Sequence, residues 1–200
     1  MGKLQRICVY CGSGSGSDPA YEQAARRLGM LLAEHRIGLV YGGGSVGLMG
    51  AIANAVLDRG GEVTGIIPQF LTAREHALKR GAVIVTRDLH ERKQLMFERA
   101  DAFVALPGGV GTLEEVVEQM TWAQLGRHKK PILLANINGF WDPLCALLTH
   151  MESLEFIRAG LSVNYLTVTR VEDILPRLTE ALRGVEEADK AMKEVSIERT

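Results

Sequence analysis

Short apolar runs alternate with longer stretches of helical period along most of the chain. Strands are predicted at Arg6–Tyr10, Gly38–Tyr41, Glu62–Ile67, Ala82–Thr86, Ala102–Leu106, Pro131–Asn136 and Leu166–Thr169. Between them lie predicted helices at Pro19–His35, Gly47–Arg59, Leu89–Ala100, Leu113–Gln124, Asp142–Glu152 and Val171–Arg183. The boundaries have local causes. Asp18 offers an N-cap oxygen and Pro19 follows at the first helical position. Asp88 and Glu91 have capping-box spacing, with Asp in the cap role. Gly60-Gly61 and Gly81 read as helix or loop ends. Strand–helix alternation of this kind predicts an α/β fold with a mainly parallel sheet and helices on both faces. Right-handed crossovers make the doubly wound arrangement the simplest topology. Residues 1–183 form a single domain on this reading. Residues 184–200 are densely charged, with Val185, Ala188, Met192 and Val195 as apolar exceptions. They read as a solvated or frayed helix, the alternative being a partner-binding tail.

Composition narrows the class. The chain has 200 residues, 46% hydrophobic and 24% charged. A chain this long buries roughly 70% of its unfolded surface, so wholesale disorder is excluded. No apolar run approaches the ~18 residues of a membrane span. The start, MGKLQRICVYCGSG, lacks the apolar core of a secretory signal and the Ser/Thr of a myristoylation signal. The formal charge of -1, from 23 basic and 24 acidic side chains, argues against nucleic acid or a membrane surface as the main partner. Three cysteines are too few for a disulfide framework, and a reducing cytoplasm is expected.

The 22 glycines change the picture through their clustering. Cys11-Gly-Ser-Gly-Ser-Gly-Ser17, Tyr41-Gly-Gly-Gly-Ser-Val-Gly47 and Pro107-Gly-Gly-Val-Gly-Thr112 each lie between a predicted strand and helix. In an open parallel sheet such loops share the carboxyl edge, where ligands bind. Glycine lets the main chain approach a ligand closely. A helix starting just beyond offers unpaired N–H groups and a positive dipole end. Together they make an anion site, most often for phosphate. The plain alternative is that the glycines only form tight turns. Gly42, Gly44 and Gly47 also satisfy G-x-G-x-x-G, but the acidic residue at the right distance, Glu62, begins its strand instead of ending it. No G-x-x-x-x-G-K-[ST] occurs, which excludes a Walker-type ATPase.

The third cluster with its flank, Pro107-Gly-Gly-Val-Gly-Thr-Leu-Glu-Glu115, fits P-G-G-x-G-T-x-x-E without mismatch. Upstream, Leu89-His-Glu-Arg-Lys93 is followed by Met96. The pair resembles the signature of the "Lonely guy" (LOG) family, the cytokinin riboside 5′-monophosphate phosphoribohydrolases. CGSGSG, VYGGGSVGLMG and TWAQLG extend the resemblance over roughly residues 6–180. It implies a Rossmann-like homodimer that cuts the N-glycosidic bond of a nucleoside 5′-monophosphate, AMP or an N6-modified AMP. Free base and ribose 5-phosphate would be released, with no cofactor and no metal. Arg92 and Glu115 match the family's catalytic positions. Ser13, Gly43, Gly44, Lys93, Gly108, Gly109, Val110, Gly111, Thr112, Glu114 and Thr121 would line the nucleotide, and Glu75 resembles a substrate-contacting acid. Family members often carry the label lysine decarboxylase, yet no residue here marks a pyridoxal-phosphate lysine.

The residues themselves allow these roles and others. Glycosidic cleavage passes through a ribosyl cation-like state, which a carboxylate beneath the sugar stabilises while activating water. Glu115 fits that role, but Thr112-x-x-Glu115 also spells a capping box. Arg92 can grip phosphate or ribose oxygens, assist the departing base, or simply face solvent. Lys93 is the simpler phosphate counter-charge. Met96 reads as core, and so do Trp122 and Trp141, either of which also suits a dimer interface. Cys8 and Cys11 would face opposite sides of a strand, against a shared metal or disulfide. The five histidines show no metal-ligand spacing, and His90 reads as a capping or packing residue. Two rivals remain: a non-catalytic nucleotide carrier or sensor with the same P-G-G-x-G-T loop, and an NAD-linked oxidoreductase.

Overall fold

A computed structural model describes residues 4–72, 80–158 and 160–197. Seven strands form one sheet in the order β4-β3-β2-β1-β5-β6-β7. They are β1 (Arg6–Tyr10), β2 (Gly38–Tyr41), β3 (Val63–Pro68), β4 (Ala82–Thr86), β5 (Ala102–Ala105), β6 (Ile132–Ala135) and β7 (Leu166–Val168). All six pairings are parallel. The helices are α1 (Pro19–Glu34), α2 (Gly47–Leu57), α3 (Leu89–Glu98), α4 (Val110–Gln124), α5 (Asp142–Ser153) and α6 (Ile174–Ile197).

Alternation along β1 shows how two cores arise. Ile7 and Val9 point to the face covered by α1, α2 and α6, while Cys8 and Tyr10 point to the face covered by α3, α4 and α5. Cys11 belongs to the first core and Cys8 to the second, so the two thiols cannot share a ligand. Met96 and Trp141 lie in the second core, and the Trp141 indole donates to the Ala105 carbonyl.

Most predicted boundaries hold within a residue or two. Asp18 Oδ1 accepts from the Ala20 amide at 2.9 Å, and Asp88 Oδ1 from the Glu91 amide at 2.8 Å. Three differences have physical causes. Strand β3 starts after Glu62 and includes Pro68, which still accepts its place beside Thr86 at the strand's last position. Glu62 therefore sits at the amino edge, out of reach of a ligand at the carboxyl edge. Helix α4 begins at Val110, three residues before the expected start, because Gly109 takes an extended N-cap conformation. Helix α6 is preceded by a 3-10 turn, Val171–Asp173, and runs unbroken to Ile197.

Strand order reverses between β1 and β5: the chain winds outward from β1 to β4, then crosses back to β5. This is the topological switch point, where doubly wound sheets open a crevice. On the opposite face from that crevice's α4 wall, α1 packs closely on α2 at Gly29. A Cβ on Gly29 would lie 2.6 Å from the Ile52 carbonyl oxygen and 2.8 Å from the Ala55 Cβ. Gly29→Ala, though favourable for an isolated helix, is expected to destabilise the fold by about 1–3 kcal/mol. Urea unfolding followed by circular dichroism measures this; an unchanged midpoint would contradict the packing argument.

Candidate active site

The crevice is built from main chain. The Gly12 N–H donates to the Pro107 carbonyl at 3.1 Å, joining the loop after β1 to the loop after β5. A cavity of about 320 Å³ opens between them, lined by the 12–16 loop, Pro107–Gly109, Leu48, Tyr21 and Phe140. Helix α4 points its N-terminus here. Its N-cap, Gly109, carries no side chain that could close the first turn. The early α4 amides, at Val110, Gly111 and Thr112, therefore present donors and a positive dipole end toward the crevice mouth. The Thr112 side chain is buried and packs so tightly on Gly108 that no Cβ fits there.

The second glycine cluster takes a different part. The α2 amides of Leu48 and Met49 both donate to the Gly12 carbonyl, at 3.1 and 3.3 Å. That helix start is occupied by protein, not left for a ligand. Gly47, with φ +59°, backs onto the Ser13 carbonyl with no room for a side chain. Gly43 and Gly44 are buried behind the first loop; Gly43 abuts Ile66 and Ile67, and Tyr41 donates its hydroxyl to the Gly44 carbonyl at 3.1 Å. Ser13 is exposed on the cavity wall. Of the three loops, two open to the crevice and the third props them.

Arg92 and Glu115 meet on the α3–α4 side. Arg92 Nη1 lies 2.5 Å from Glu115 Oε1, with the two side chains 11% and 9% exposed. Arg92 Nε donates to the Ile66 carbonyl at 3.1 Å. Glycine at position 42 leaves room for the guanidinium as it stands: a Cβ there would be 2.6 Å from Nη2, and one of the two would have to shift. With α4 starting at Val110, Glu115 is in its second turn and Thr112 is already helical, so the capping-box alternative fails. Five residues at 1.5 Å rise put Glu115 about 7.5 Å along the axis from Val110. Beneath the pair, Cys8 and Tyr10 are fully buried and hydrogen-bonded to each other. Burial pushes the Cys8 thiol well up, and the Glu115 charge pushes it further.

Lys93 is not the free counter-charge that the sequence suggested. Its ammonium binds Glu114 Oε1 at 2.5 Å and Glu118 Oε1 at 2.9 Å. Partial burial pulls its pKa down, but these carboxylates outweigh that and hold it above the usual lysine value. Glu114 is thereby placed beside α3 and away from the cradle. Thr121 lies eleven residues beyond Val110, about 16 Å along the helix, and donates its hydroxyl to Val117. Glu75 lies outside the described residues. His90 is exposed in the first turn of α3. Among the described residues no group of three or more His, Cys, Asp or Glu side chains could hold a metal. Tyr21 and Phe140, in edge-to-face contact at 5.7 Å, were not anticipated. Their one sequence signal is position: Phe140 follows the β6 carboxyl end and Tyr21 follows the first glycine loop.

Residues 49–178 match a family model described as "Possible lysine decarboxylase". Cytokinin riboside 5′-monophosphate phosphoribohydrolase LOG7 of Arabidopsis thaliana is 44% identical over 197 residues, 97% of this chain and 87% of its own. The rice (Oryza sativa subsp. japonica) enzyme of the same description, LOG, is 46% identical over 179 residues, 89% and 74% of the two chains. The chain belongs to the LOG family. Among solved structures, the molybdenum cofactor binding protein of Rippkaea orientalis superposes with a TM-score of 0.67 at 21% identity, covering 89% of this chain and 97% of that one. The Moco carrier protein of Chlamydomonas reinhardtii gives 0.66, also at 21%, over 91% and 99%. At this identity the likeness concerns the fold alone, and it places the LOG-family chain among Rossmann-like α/β proteins.

Removing one member of the nearly buried pair strands the other. Glu115→Ala in this LOG-family chain is expected to lose about 3 kcal/mol of stability, and Arg92→Leu with Glu115→Leu to recover most of it. Thermal and urea unfolding of the three proteins tests this. Equal stability of Glu115→Ala and the parent would mean the pair is solvated in solution.

Proposed function

We propose that this chain hydrolyses the N-glycosidic bond of a nucleoside 5′-monophosphate, with adenine or an N6-modified adenine as the base. Water adds to C1′, the C1′–N bond breaks, and a proton ends on the departing base nitrogen. The observation that carries this reading is the Arg92–Glu115 pair standing one helical turn beyond an uncapped amide cradle. Phosphate on the α4 amides would extend the ribose along the helix toward Glu115. The carboxylate there opposes the positive charge that develops on the sugar and accepts the water proton. Ser13 and Gly108–Thr112 hold the 5′-phosphate end, and Gly43 and Gly44 support that cradle from behind. The reaction consumes only water and calls for no cofactor. Relatives named phosphoribohydrolases support the same chemistry.

Two other readings have less behind them. Schiff-base chemistry needs a lysine that readily gives up its proton. Lys93, clamped by two carboxylates, is held the opposite way. A carrier or sensor would need the amide cradle but not an ion pair beside it, and the fold likeness to cofactor carriers does not reach the side chains.

We further infer a homodimer in a reducing cytoplasm. Val110, Leu113, Val117 and Leu125 form one exposed apolar stripe along α4, with Val110 83% and Leu125 73% exposed. Such a stripe beside the site suits a second copy of the chain. Residues 1–183 act as the nucleotide-binding domain and 184–200 as its charged tail. All three cysteines are free thiols, which fits a reducing compartment.

Incubation with AMP is expected to release adenine and ribose 5-phosphate, while adenosine is a poor substrate because the phosphate supplies the orienting energy. Glu115→Gln should keep AMP binding within a few-fold and cut turnover by about 10² or more. AMP bound but left intact by the parent chain would favour the carrier reading. Val117→Asp is expected to shift the chain from dimer to monomer in sedimentation equilibrium; a parent chain that is already monomeric would remove the dimer.

A further inference from the structure

The inward stripe of α4 consists of Thr112, Glu115, Val116, Gln119 and Met120. Gln119 has no exposed surface, and neither atom of its amide has a hydrogen-bond partner among the described residues. A fully buried amide in this state is costly, and an apolar side chain of equal length would fill the space without the penalty. Its place on the helix suggests what the amide does. Residues four apart share a face, with Cβ atoms about 5–6 Å apart, so Gln119 stands directly behind Glu115. The strand beneath presents the Cys8–Tyr10 pair, whose ionisation senses both Glu115 and Arg92. Cys8, Tyr10 and Gln119 thus place polar atoms among the apolar side chains of this core, and of the three Gln119 keeps the same charge at every pH.

We propose that Gln119 is a positioning residue for Glu115, turning its amide to the carboxylate as an added hydrogen-bond donor when Arg92 turns to the substrate. The idea rests on the hydrolase reading above. Arg92 and Glu115 neutralise each other across 2.5 Å. To meet a phosphate, a ribose oxygen or a leaving base, the guanidinium must loosen that contact. The carboxylate would then regain a proton more readily, and a protonated Glu115 can neither oppose the sugar's charge nor accept a proton from water. An amide donor one turn along the same helix face, once turned to the carboxylate, favours the charged form. A neutral amide does this without competing for the anionic substrate. It also leaves Arg92 free to move, which a second buried cation would not.

The test compares the parent chain with Gln119→Met, an apolar side chain of similar length, in adenine release from AMP across pH. Loss of a donor to the charged carboxylate raises its pKa. The acid limb of the turnover profile should therefore move to higher pH by about one unit, a tenfold change in the ionisation constant. Turnover at the acid side should fall about tenfold while the dissociation constant for AMP changes less than threefold. Thermal stability should hold or rise, because two unsatisfied buried atoms are gone. Gln119→Leu serves as the second variant should the methionine pack poorly. A folded variant with an unmoved acid limb overturns the role of Gln119. A parent chain that releases no base from any nucleoside monophosphate overturns the hydrolase reading first, so the two failures are distinguishable.

Discussion

Gly12 is the point at which three loops of this protein interlock. Its N–H is taken by the Pro107 carbonyl, and its carbonyl receives two amides from the start of α2. A Cβ in its place would stand 3.0 Å from the Gly14 carbonyl oxygen and 3.3 Å from the Gly108 Cα. The consequence is a division between two helix N-termini that look alike in sequence. The α2 terminus is satisfied by protein and becomes a fixed support. The α4 terminus, across the same junction, keeps its dipole end turned to the crevice. A larger residue at position 12 would make Gly14 and Gly108 give by a few tenths of an ångström, at the junction that sets the floor of the crevice.

The charged groups follow from that division. Arg92 threads past Gly42 because the second loop has been pulled behind the first, and it ends beside Glu115 instead of in solvent. The neighbouring residue meets a different fate through its angular position alone. Lys93 lies about 100° further round α3 and is captured by Glu114 and Glu118 on the outer side of α4. Adjacent basic residues thus divide into one that reaches the inward Glu115 and the Ile66 carbonyl and one that pairs with Glu114 and Glu118. Charge thus ties α3 to α4 at the one turn that carries Arg92 and Lys93, and an aromatic contact of Phe97 with Trp122 continues the seam.

The sheet and most helix ends were legible from the chain because their signals are local. Asp18 with Pro19 and Asp88 with Glu91 act through neighbours a few residues away. Parallel strands buried on both faces read as unbroken apolar runs. The start of α4 was not legible, since Gly109 caps by backbone conformation and leaves no side-chain mark. The different role of the second glycine cluster was hidden for a related reason: three similar loops have similar composition, and only tertiary contact decides which amides are consumed. The salt bridges of Lys93 span 21 or more residues, so spacing could not reveal them. Gln119 falls on an apolar-periodic face and reads from sequence as an ordinary interruption; only its burial without partners singles it out.

The fold by itself does not choose a chemistry. Proteins named as molybdenum cofactor carriers share the seven-strand architecture at 21% identity, and one fold hosts many functions. An amide cradle at the switch point explains affinity for a phosphate and nothing more. Hydrolysis requires a group that stabilises the sugar better in the transition state than in the ground state. A carboxylate facing a cation-like ribose does so, because its attraction grows as the glycosidic bond stretches. A neutral or solvated residue at that place would bind nucleotide as well and turn it over no faster. The burial of Glu115 sharpens the contrast, since charge interactions strengthen as water is excluded. That burial requires a counter-charge before substrate arrives, and Arg92 supplies it. On the proposed reading, the ion pair is therefore part of the same arrangement that makes the carboxylate effective.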